Sequence, residues 1–274
     1  MHSSGYIPAM RARLYGHIVK TRFLSSLEYR TEVAFLVLTS FVVVVGMSFL
    51  WKALYGDQET ARAVTLHQML VYLIAAQTMN QLLFSDLPEQ INERIYNGSI
   101  SIDLIRPMHL WAAWVADDLG AAVSRLLIRG VPLVVVASLL IAVPLPASGP
   151  LFLWFLLSLG FSYVLMTSIS YMVGLTSIWY MDFGNFGLVV RATVVFLSGS
   201  VVPIWFFPEW FQRISSFLPF IHIYQFPLGI YIGKYSGTEI LQGLATQLLW
   251  IAVGVLCAVA MWNLVKKKIV VQGG

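Results

Sequence analysis

Three polar side chains, Gln77, Asn80 and Gln81, lie in a predicted membrane span at residues 64–84 that is unusually polar. Their spacing of three and four residues places them on or beside one face of a helix. Because polar groups are costly against lipid, such side chains usually face protein or a water-filled cavity. Two interpretations stay open. The three residues line a translocation path or a subunit interface, or they form hydrogen bonds between helices without touching a transported molecule.

Two arginines, Arg125 and Arg129, lie one helical turn apart in another apolar run, at residues 119–143. Arg125 follows Asp117 and Asp118 by about two turns. One hypothesis gives the arginines a structural role, in which they snorkel to the inner membrane interface or pair with these acids. The alternative is a site that binds the anionic group of an acidic substrate or of a lipid.

The polar stretch at residues 85–118 has the signals of a short helix. Pro88 can begin such a helix, and Gly98 can end it in the left-handed conformation. Glu93 and Arg94 lie between them, beside an apolar face. A short helix with its charges toward water is suited to the docking of a soluble partner, and an ordinary amphipathic connector is the alternative.

A phosphate-binding loop needs a glycine, four further residues and then Gly-Lys-Ser/Thr. The nearest stretch begins at Gly229, has three residues before Gly233 and Lys234, and continues with Tyr235 in place of the required Ser or Thr. The sequence therefore predicts a protein that has no ATPase activity and binds no cofactor itself. The energy for any transport must come from a separate chain.

The elements that position these residues follow from composition. Of the 274 residues, 58% are hydrophobic and 11% are charged, against about 25% charged in ordinary soluble domains. Runs of about 20 apolar residues can cross a bilayer as helices. We therefore predict a single membrane domain over residues 1–274, an all-α integral membrane fold with six transmembrane helices. The predicted spans are residues 33–51, 64–84, 119–143, 151–178, 187–204 and 239–264.

Three further features complete this prediction. Residues 1–32 are basic with apolar residues at helical spacing, which predicts an amphipathic surface helix. Trp51, at the end of the first span, is predicted to be an interfacial anchor. In the fourth span, small residues recur four apart and are predicted to let helices approach closely. These small residues are Ser158, Ser162, Ser170 and Gly174.

Positive charges predict the orientation of the chain in the membrane. With the N-terminus inside, eleven of the seventeen Lys and Arg residues lie in inner segments, or thirteen when Arg125 and Arg129 are included. Four lie in outer segments. Both termini are therefore expected on the cytoplasmic side.

The connection at residues 205–238 is aromatic and is divided by prolines. Trp210, Phe211, Ile214 and Phe217 fall on one face at helical spacing. This pattern is typical of short re-entrant or outer helices that dip into the outer leaflet between spans five and six. An aromatic anchor at the membrane interface is the alternative, and both can hold.

Several segments carry a resemblance to a known family. Gly98–Pro107 has a glycine, alternating apolar residues and a terminal Arg-Pro, and the other segments are Phe196–Trp210, Leu218–Phe220, Phe226–Pro227 and Ile230–Gly233. In this order they resemble a type-2 ABC exporter permease of the bacterial branch whose membrane subunits are separate chains. Length, predicted span layout and both long connections also match, so the resemblance covers nearly the whole chain.

The resemblance implies a dimer of permeases, identical or sister chains, in the bacterial cytoplasmic membrane. Two copies of a separate cytoplasmic ABC ATPase, which hold ATP and Mg²⁺, dock on the N-terminal helix and on the loop between spans two and three. The residues of that docking loop are Pro88, Glu89, Glu93, Arg94, Asn97 and Gly98. In the family the outer segment caps the exit, and its residues in this chain are Pro203, Pro208, Trp210 and Pro219.

The function implied is export of an amphiphile, such as a drug, a natural product or a lipid, with membrane lipids and no nucleic acid among the partners. A secondary transporter driven by an ion gradient is the alternative. Such carriers tend to have buried carboxylates near the midplane, and no Asp or Glu lies at the centre of a predicted span. A third possibility is a membrane scaffold or sensor that transports nothing.

Overall fold

The computed structural model describes residues 6–25, 30–56, 58, 60–105, 109–140, 149–179 and 183–272. Within these ranges the chain is helical apart from turns and one antiparallel pair of two-residue strands, β1 (Thr60–Ala61) and β2 (Val64–Thr65). The α-helices are α1 (Tyr6–Ser25), α2 (Arg30–Tyr55), α3 (Leu66–Leu83), α4 (Leu87–Tyr96), α5 (Ile100–Ile105), α6 (Leu110–Arg125), α7 (Val131–Leu140), α8 (Gly149–Leu175), α9 (Phe183–Leu197), α10 (Glu209–Ser216), α11 (Gln225–Tyr231) and α12 (Gly237–Gln272).

Four helical stretches are long and apolar enough to cross a membrane, and they are Val37–Tyr55, Leu110–Ser138, Gly149–Ile178 and Gly237–Lys268. The prediction of an all-α membrane protein is therefore confirmed at this level. The number of six spans stays a prediction, because α3 and α9 do not meet the same criteria. The apolar part of α9, Phe186–Leu197, is short, and α3 contains several polar residues.

Helix α3 is the most enclosed of the long helices. Nine of its eighteen residues are buried, whereas only 11% of the apolar stretch of α12 is buried within the chain. It packs against α2, α6, α7, α8 and α11. A helix surrounded by protein can carry polar side chains because neighbouring helices, and not lipid, receive them.

The small residues of α8 allow close packing, as predicted. Ser158 and Ser162 are fully buried and bind Gln247 of α12, with the Ser158 hydroxyl donating to the Gln247 amide oxygen over 3.0 Å. Near the other end of α8, a Cβ atom on Gly174 would lie 2.8 Å from the Cδ1 atom of Ile91. The backbone of α8 therefore lies directly against α12 and α4.

The helix of the predicted third span begins at Leu110, nine residues before the predicted start, and includes Asp117 and Asp118. These acids are accommodated because they have partners: Asp117 lies 3.6 Å from Arg22 of α1, and Asp118 is buried among polar groups. A prediction that places charges in loops cannot anticipate this pairing.

A π-helical turn, Leu126–Gly130, joins α6 to α7 immediately before Pro132. Proline cannot donate the backbone hydrogen bond of an α-helix and its ring crowds the preceding turn. A widened turn next to it is a common way to keep such a helix continuous. Helix α7 ends at Leu140, and residues 141–148, which include the predicted end of this span at residue 143, lie outside the described residues.

Two predicted membrane-surface features pack against the chain itself. Helix α2 continues past Trp51 to Tyr55, and Trp51 is only 3% exposed, with its ring 4.8 Å from that of Phe206. Helix α1 lies on α6 so closely that a Cβ atom on Gly120 would come 2.5 Å from the Val19 carbonyl oxygen. Trp51 and the basic helix α1 therefore both pack against other parts of the helical bundle.

The connection between α9 and α12 folds into short helices, as its prolines predict. They are two single 3₁₀ turns (Ile204–Phe206 and Phe220–His222) and helices α10 and α11. Nine consecutive residues, 222–230, are buried. Helix α11 is therefore part of the interior, beside α3 and α8.

Candidate functional site

A buried polar cluster joins the end of α3 to α4, α6 and α8, and we call it the Arg125 junction. Its members are Ser85, Asp86, Asp118, Arg125 and Tyr163. The carboxylate of Asp118 is 1% exposed and accepts hydrogen bonds from the hydroxyls of Ser85 and Tyr163, each over 2.9 Å. A buried carboxylate is stable only when hydrogen-bonded and paired, and these contacts supply both.

Arg125 binds the C-terminal end of α3. It donates hydrogen bonds to the carbonyl oxygens of Gln81, over 3.3 Å, and of Phe84. The last carbonyls of a helix lack partners within it and carry partial negative charge, so a guanidinium there is favourable. Arg125 also lies 3.4 Å from the Asp86 carboxylate and 3.9 Å from that of Asp118. Of the two interpretations of Arg125, pairing with an acid is therefore confirmed.

The junction also determines where α4 begins. The Ser85 hydroxyl accepts a hydrogen bond from the Leu87 backbone N–H over 3.2 Å while donating to Asp118. The turn between α3 and α4 is thus bonded to Asp118 of α6, which Tyr163 of α8 also contacts.

Helix α4 has the predicted limits: Pro88 lies in its first turn, and Gly98 follows it with a φ of 74°. Its inner face is buried, and Ile91 and Pro88 lie against Gly174, where a Cβ atom would be 3.1 Å from the Pro88 Cα. Pro88 therefore lies inside the protein, although the sequence placed it among the docking residues. In this position Pro88 packs α4 against α8.

The outer face of α4 is exposed. It presents Glu93, Asn97 and Gly98, together with Tyr96, which is 83% exposed. Sequence reasoning did not select Tyr96, although an aromatic residue in the last turn of a charged helix was an available signal. Large exposed aromatic residues are frequent anchors at protein interfaces.

The remaining docking residues have partners within the chain. Arg94 donates a hydrogen bond over 2.5 Å to Asp103 of α5. The side chain of Asn97 accepts hydrogen bonds from the backbone N–H and hydroxyl of Ser99. Glu89 accepts a hydrogen bond from Arg191 of α9 over 2.8 Å. These contacts join α4 to α5 and α9.

Phe84 lies between two guanidinium groups. Its ring centroid is 4.4 Å from the Arg191 guanidinium and 5.4 Å from that of Arg125. Cations over an aromatic face are attracted by the ring's electron density. Phe84 therefore connects the Arg125 junction to the Glu89–Arg191 pair.

A cavity of about 190 Å³ lies beside this pair, between α3, α4, α8 and α9. Most of its lining is apolar, and its polar groups include Asn80, Tyr224, Glu89 and Arg191. Asn80 accepts a hydrogen bond over 3.0 Å from the Tyr224 hydroxyl. Of the three polar residues singled out in α3, only Asn80 lines this cavity, while Gln77 and Gln81 are half-buried elsewhere on the helix.

Comparison with protein families shows which family the chain belongs to. Residues 41–273 match the family model described as ABC-2 family transporter protein. The chain belongs to the ABC-2 transporter family. It is therefore a membrane permease of an ABC transporter, a transport component that is not itself catalytic, and the resemblance to a type-2 ABC permease is confirmed. Membership also implies association with an ABC ATPase. A search of curated proteins gives no match.

At the opposite end of the permease, the four predicted outer residues separate into two environments. Pro203 is buried and Pro219 is half-buried, each beside a 3₁₀ turn. Pro208 and Trp210 are exposed at the start of α10. Trp210, predicted on one face with Phe211, lies outside, whereas the Phe211 ring stacks on Phe207 with centroids 4.7 Å apart.

The described part of the permease contains no group of three or more His, Cys, Asp or Glu side chains placed to hold a metal ion. The ion pairs around α4 and α6 join separate elements: Arg22–Asp117, Arg94–Asp103, Arg125–Asp118 and Arg191–Glu89. The chemistry available to the site is therefore positioning, ion pairing and the binding of polar groups within an apolar surround.

Proposed function

We propose that this permease is the membrane subunit of an ATP-driven exporter of an amphiphile, powered by a separate ATPase that docks on the exposed face of α4. One observation carries the proposal: α4 exposes Glu93 and Tyr96 on one side while its other side rests on Gly174. A helix that is exposed on one face and rigidly attached on the other is suited to pass movement from a soluble partner to membrane helices.

The attachment of α4 supports the direction of this transmission. The Arg125 junction connects it to α3, α6 and α8, and the Glu89–Arg191 pair connects it to α9. Displacing α4 therefore displaces the walls of the cavity that Asn80 and Tyr224 line. Binding or closure of the ATPase on α4 would change the shape of that cavity.

The cavity lining supports an amphiphilic substrate. Apolar side chains of α8 and α9 form most of the wall, and Asn80, Tyr224 and the Glu89–Arg191 pair provide a few polar groups. Ligand sites of this composition bind apolar molecules through burial and orient them through a small number of polar contacts. The substrate class in this proposal is a drug, a natural product or a lipid.

The remaining parts of the proposal follow the family resemblance. Six helices cross the bacterial cytoplasmic membrane with both termini in the cytoplasm, and α10 and α11 cap the exit outside. Two permeases, identical or sister chains, pair with two ATPase copies that hold ATP and Mg²⁺. The N-terminal helix α1 forms a second part of the ATPase contact.

The test is affinity purification of the tagged chain from its native host in mild detergent, followed by mass spectrometry of the retained proteins. An ABC ATPase is expected with the wild type and is expected to be lost from the double variant Glu93→Lys, Tyr96→Ala. Glu209→Lys, which changes an exposed glutamate of α10, is the matched control and keeps the ATPase. Recovery of the chain alone would contradict the proposal and favour transport driven by an ion gradient.

A further inference from the structure

Arg129 lies inside a membrane-spanning stretch. It is part of the π-helical turn Leu126–Gly130 within the apolar stretch Leu110–Ser138. Nineteen residues separate it from Leu110, which corresponds to about 28 Å along a helix. Its side chain is half-buried.

Arg129 has no hydrogen bond or ion pair to any residue that the structure describes. Arg125, one turn away, contacts two carboxylates and two backbone carbonyls. A cation inside a membrane span is costly, and such residues usually pair with an anion or line a polar path. Since none of the described residues pairs with Arg129, the contrast between the two arginines favours a separate molecule as its partner.

Helix α3 packs against the π-helical turn that contains Arg129. A Cβ atom on the neighbouring Gly130 would be 3.5 Å from Thr78 and 3.7 Å from the Cβ of Gln81. The side-chain amides of Gln81 and of Gln77, one turn farther along α3, are half-buried, and neither has a hydrogen-bond partner in the described part of the chain. Unsatisfied amide donors therefore accompany the unpaired guanidinium. The π-helical turn itself is a geometry that often marks functional sites.

Snorkelling does not account for Arg129 as it can for an arginine near a helix end. Arg129 lies nine residues, about 13 Å, beyond Gly120, where α1 crosses α6. This distance exceeds the length of an extended arginine side chain. With α1 at the membrane surface, as its sequence predicts, Arg129 lies deeper in the membrane than the contact with α1 by more than the length of its own side chain.

We propose that Arg129, together with the amide of Gln81 on the facing helix α3, binds the anionic head of an amphiphile, a phosphate or a carboxylate, inside the membrane. A guanidinium pairs with either group through two parallel charge-assisted hydrogen bonds. The occupant is a resident anionic lipid or the transported molecule, and the second case rests on the proposed function. This site differs from the cavity beside Asn80, which Arg129 does not line.

The test uses the full chain in detergent, without ATP or ATPase, so that its outcome is independent of the proposed function. Dodecyl phosphate is titrated and its binding is measured by native mass spectrometry. Arg129→Gln is expected to weaken binding about tenfold or more, because it removes a charged donor pair. Arg129→Lys keeps the charge and is expected to retain intermediate affinity. Arg213→Gln, an exposed arginine of α10, is the control and binds as the wild type does.

A second measurement keeps the test decisive if Arg129→Gln does not fold. A photoreactive alkyl phosphate is crosslinked to the wild-type chain, and labelling is expected within residues 125–133 or on the facing turn of α3. Wild-type binding that is unchanged in Arg129→Gln, no saturable binding, or labelling confined to other segments would each overturn the proposal.

The two sources of the anion are distinguished in nanodiscs. Phosphatidylglycerol added to phosphatidylcholine nanodiscs blocks crosslinking if a resident lipid fills the site. If crosslinking persists in the presence of phosphatidylglycerol, this bulk lipid does not occupy the site. That result is expected if the site binds a transported amphiphile.

Discussion

Two connections contain short helices, residues 84–105 and residues 198–236, and these helices expose different types of side chain. In the first, α4 turns Glu93 and other polar groups outward, and its inner face rests on α8. In the second, α10 turns apolar side chains outward: Trp210 is 63% exposed and Phe217 is 79% exposed. Both connections contain prolines, yet α4 exposes mainly polar groups and α10 exposes large aromatic side chains.

The two connections are also held in different ways. The first is attached at the Arg125 junction, at the close backbone contact of Gly174 and at the Glu89–Arg191 pair. The second is anchored along its length by hydrogen bonds to α3, including Tyr72 to the Gly199 carbonyl over 2.7 Å and Gln68 to the Ile232 carbonyl over 2.9 Å. We infer that α4 can move as one body with its neighbours, whereas the second connection stays with the bundle.

The largest expected effect comes from removing one charge of the Arg125 junction. Asp118→Ala leaves Arg125 without its buried partner, and breaking a buried pair on one side costs about 3–5 kcal/mol of the free energy of unfolding. Denaturant titration in detergent measures this loss. Asp86→Asn changes the exposed partner of Arg125 and should cost less than about 1 kcal/mol. Equal losses of stability in the two variants would show that the buried Asp118–Arg125 contact contributes no more than the exposed Asp86–Arg125 contact.

A smaller loss of stability is expected when a side chain is added at Gly174, against which α4 packs. Gly174→Leu places side-chain atoms where Ile91 and Pro88 lie, and overpacking of this kind costs about 1–3 kcal/mol. Displacement of α4 should also reduce the amount of ATPase that copurifies. The control on the same helix is Gly160→Leu, because no atom lies within 4 Å of a Cβ there. If both variants retained the ATPase equally, the contact at Gly174 would not position the docking surface.

The Glu89–Arg191 pair is expected to contribute less than about 1 kcal/mol to stability, because both side chains are more than a third exposed. A double-mutant cycle with Glu89→Gln and Arg191→Gln measures the coupling free energy. The pair should nevertheless influence transport, since it joins α4 to α9. A coupling well above this value would show that the pair is desolvated in the membrane.

Cysteine substitutions at exposed positions of α10 are expected to have almost no effect on folding. The reactivity of each new cysteine is expected to depend on the face of α10 that it occupies. In a Cys257→Ala background, which removes the single cysteine, a cysteine at Ile214 should react several-fold more slowly with a water-soluble maleimide than a cysteine at Ser216, which is also exposed but points to nearly the opposite side of α10. Lipid covers the first position and water the second if α10 lies in the outer leaflet. Equal rates would indicate that both faces of α10 are in water.

Local signals predicted the short helices well. Pro88 and Gly98 define the limits of α4 because each limits the backbone conformation at its own position, independently of the rest of the fold. The same signals could not show which face of α4 is exposed. Pro88, selected as a docking residue, is buried, and Tyr96, which was not selected, is exposed.

By itself the sequence determined the class of protein, its family and the position of its short helices. Apolar length, charge at the ends of segments and proline or glycine conformation are properties of neighbouring residues, so they can be evaluated without a fold. Tertiary structure alone decided that Asp118 meets Ser85 and Tyr163, and that Arg125 finds partners while Arg129 does not among the described residues. Such contacts join residues far apart in the chain, and packing of whole helices selects them.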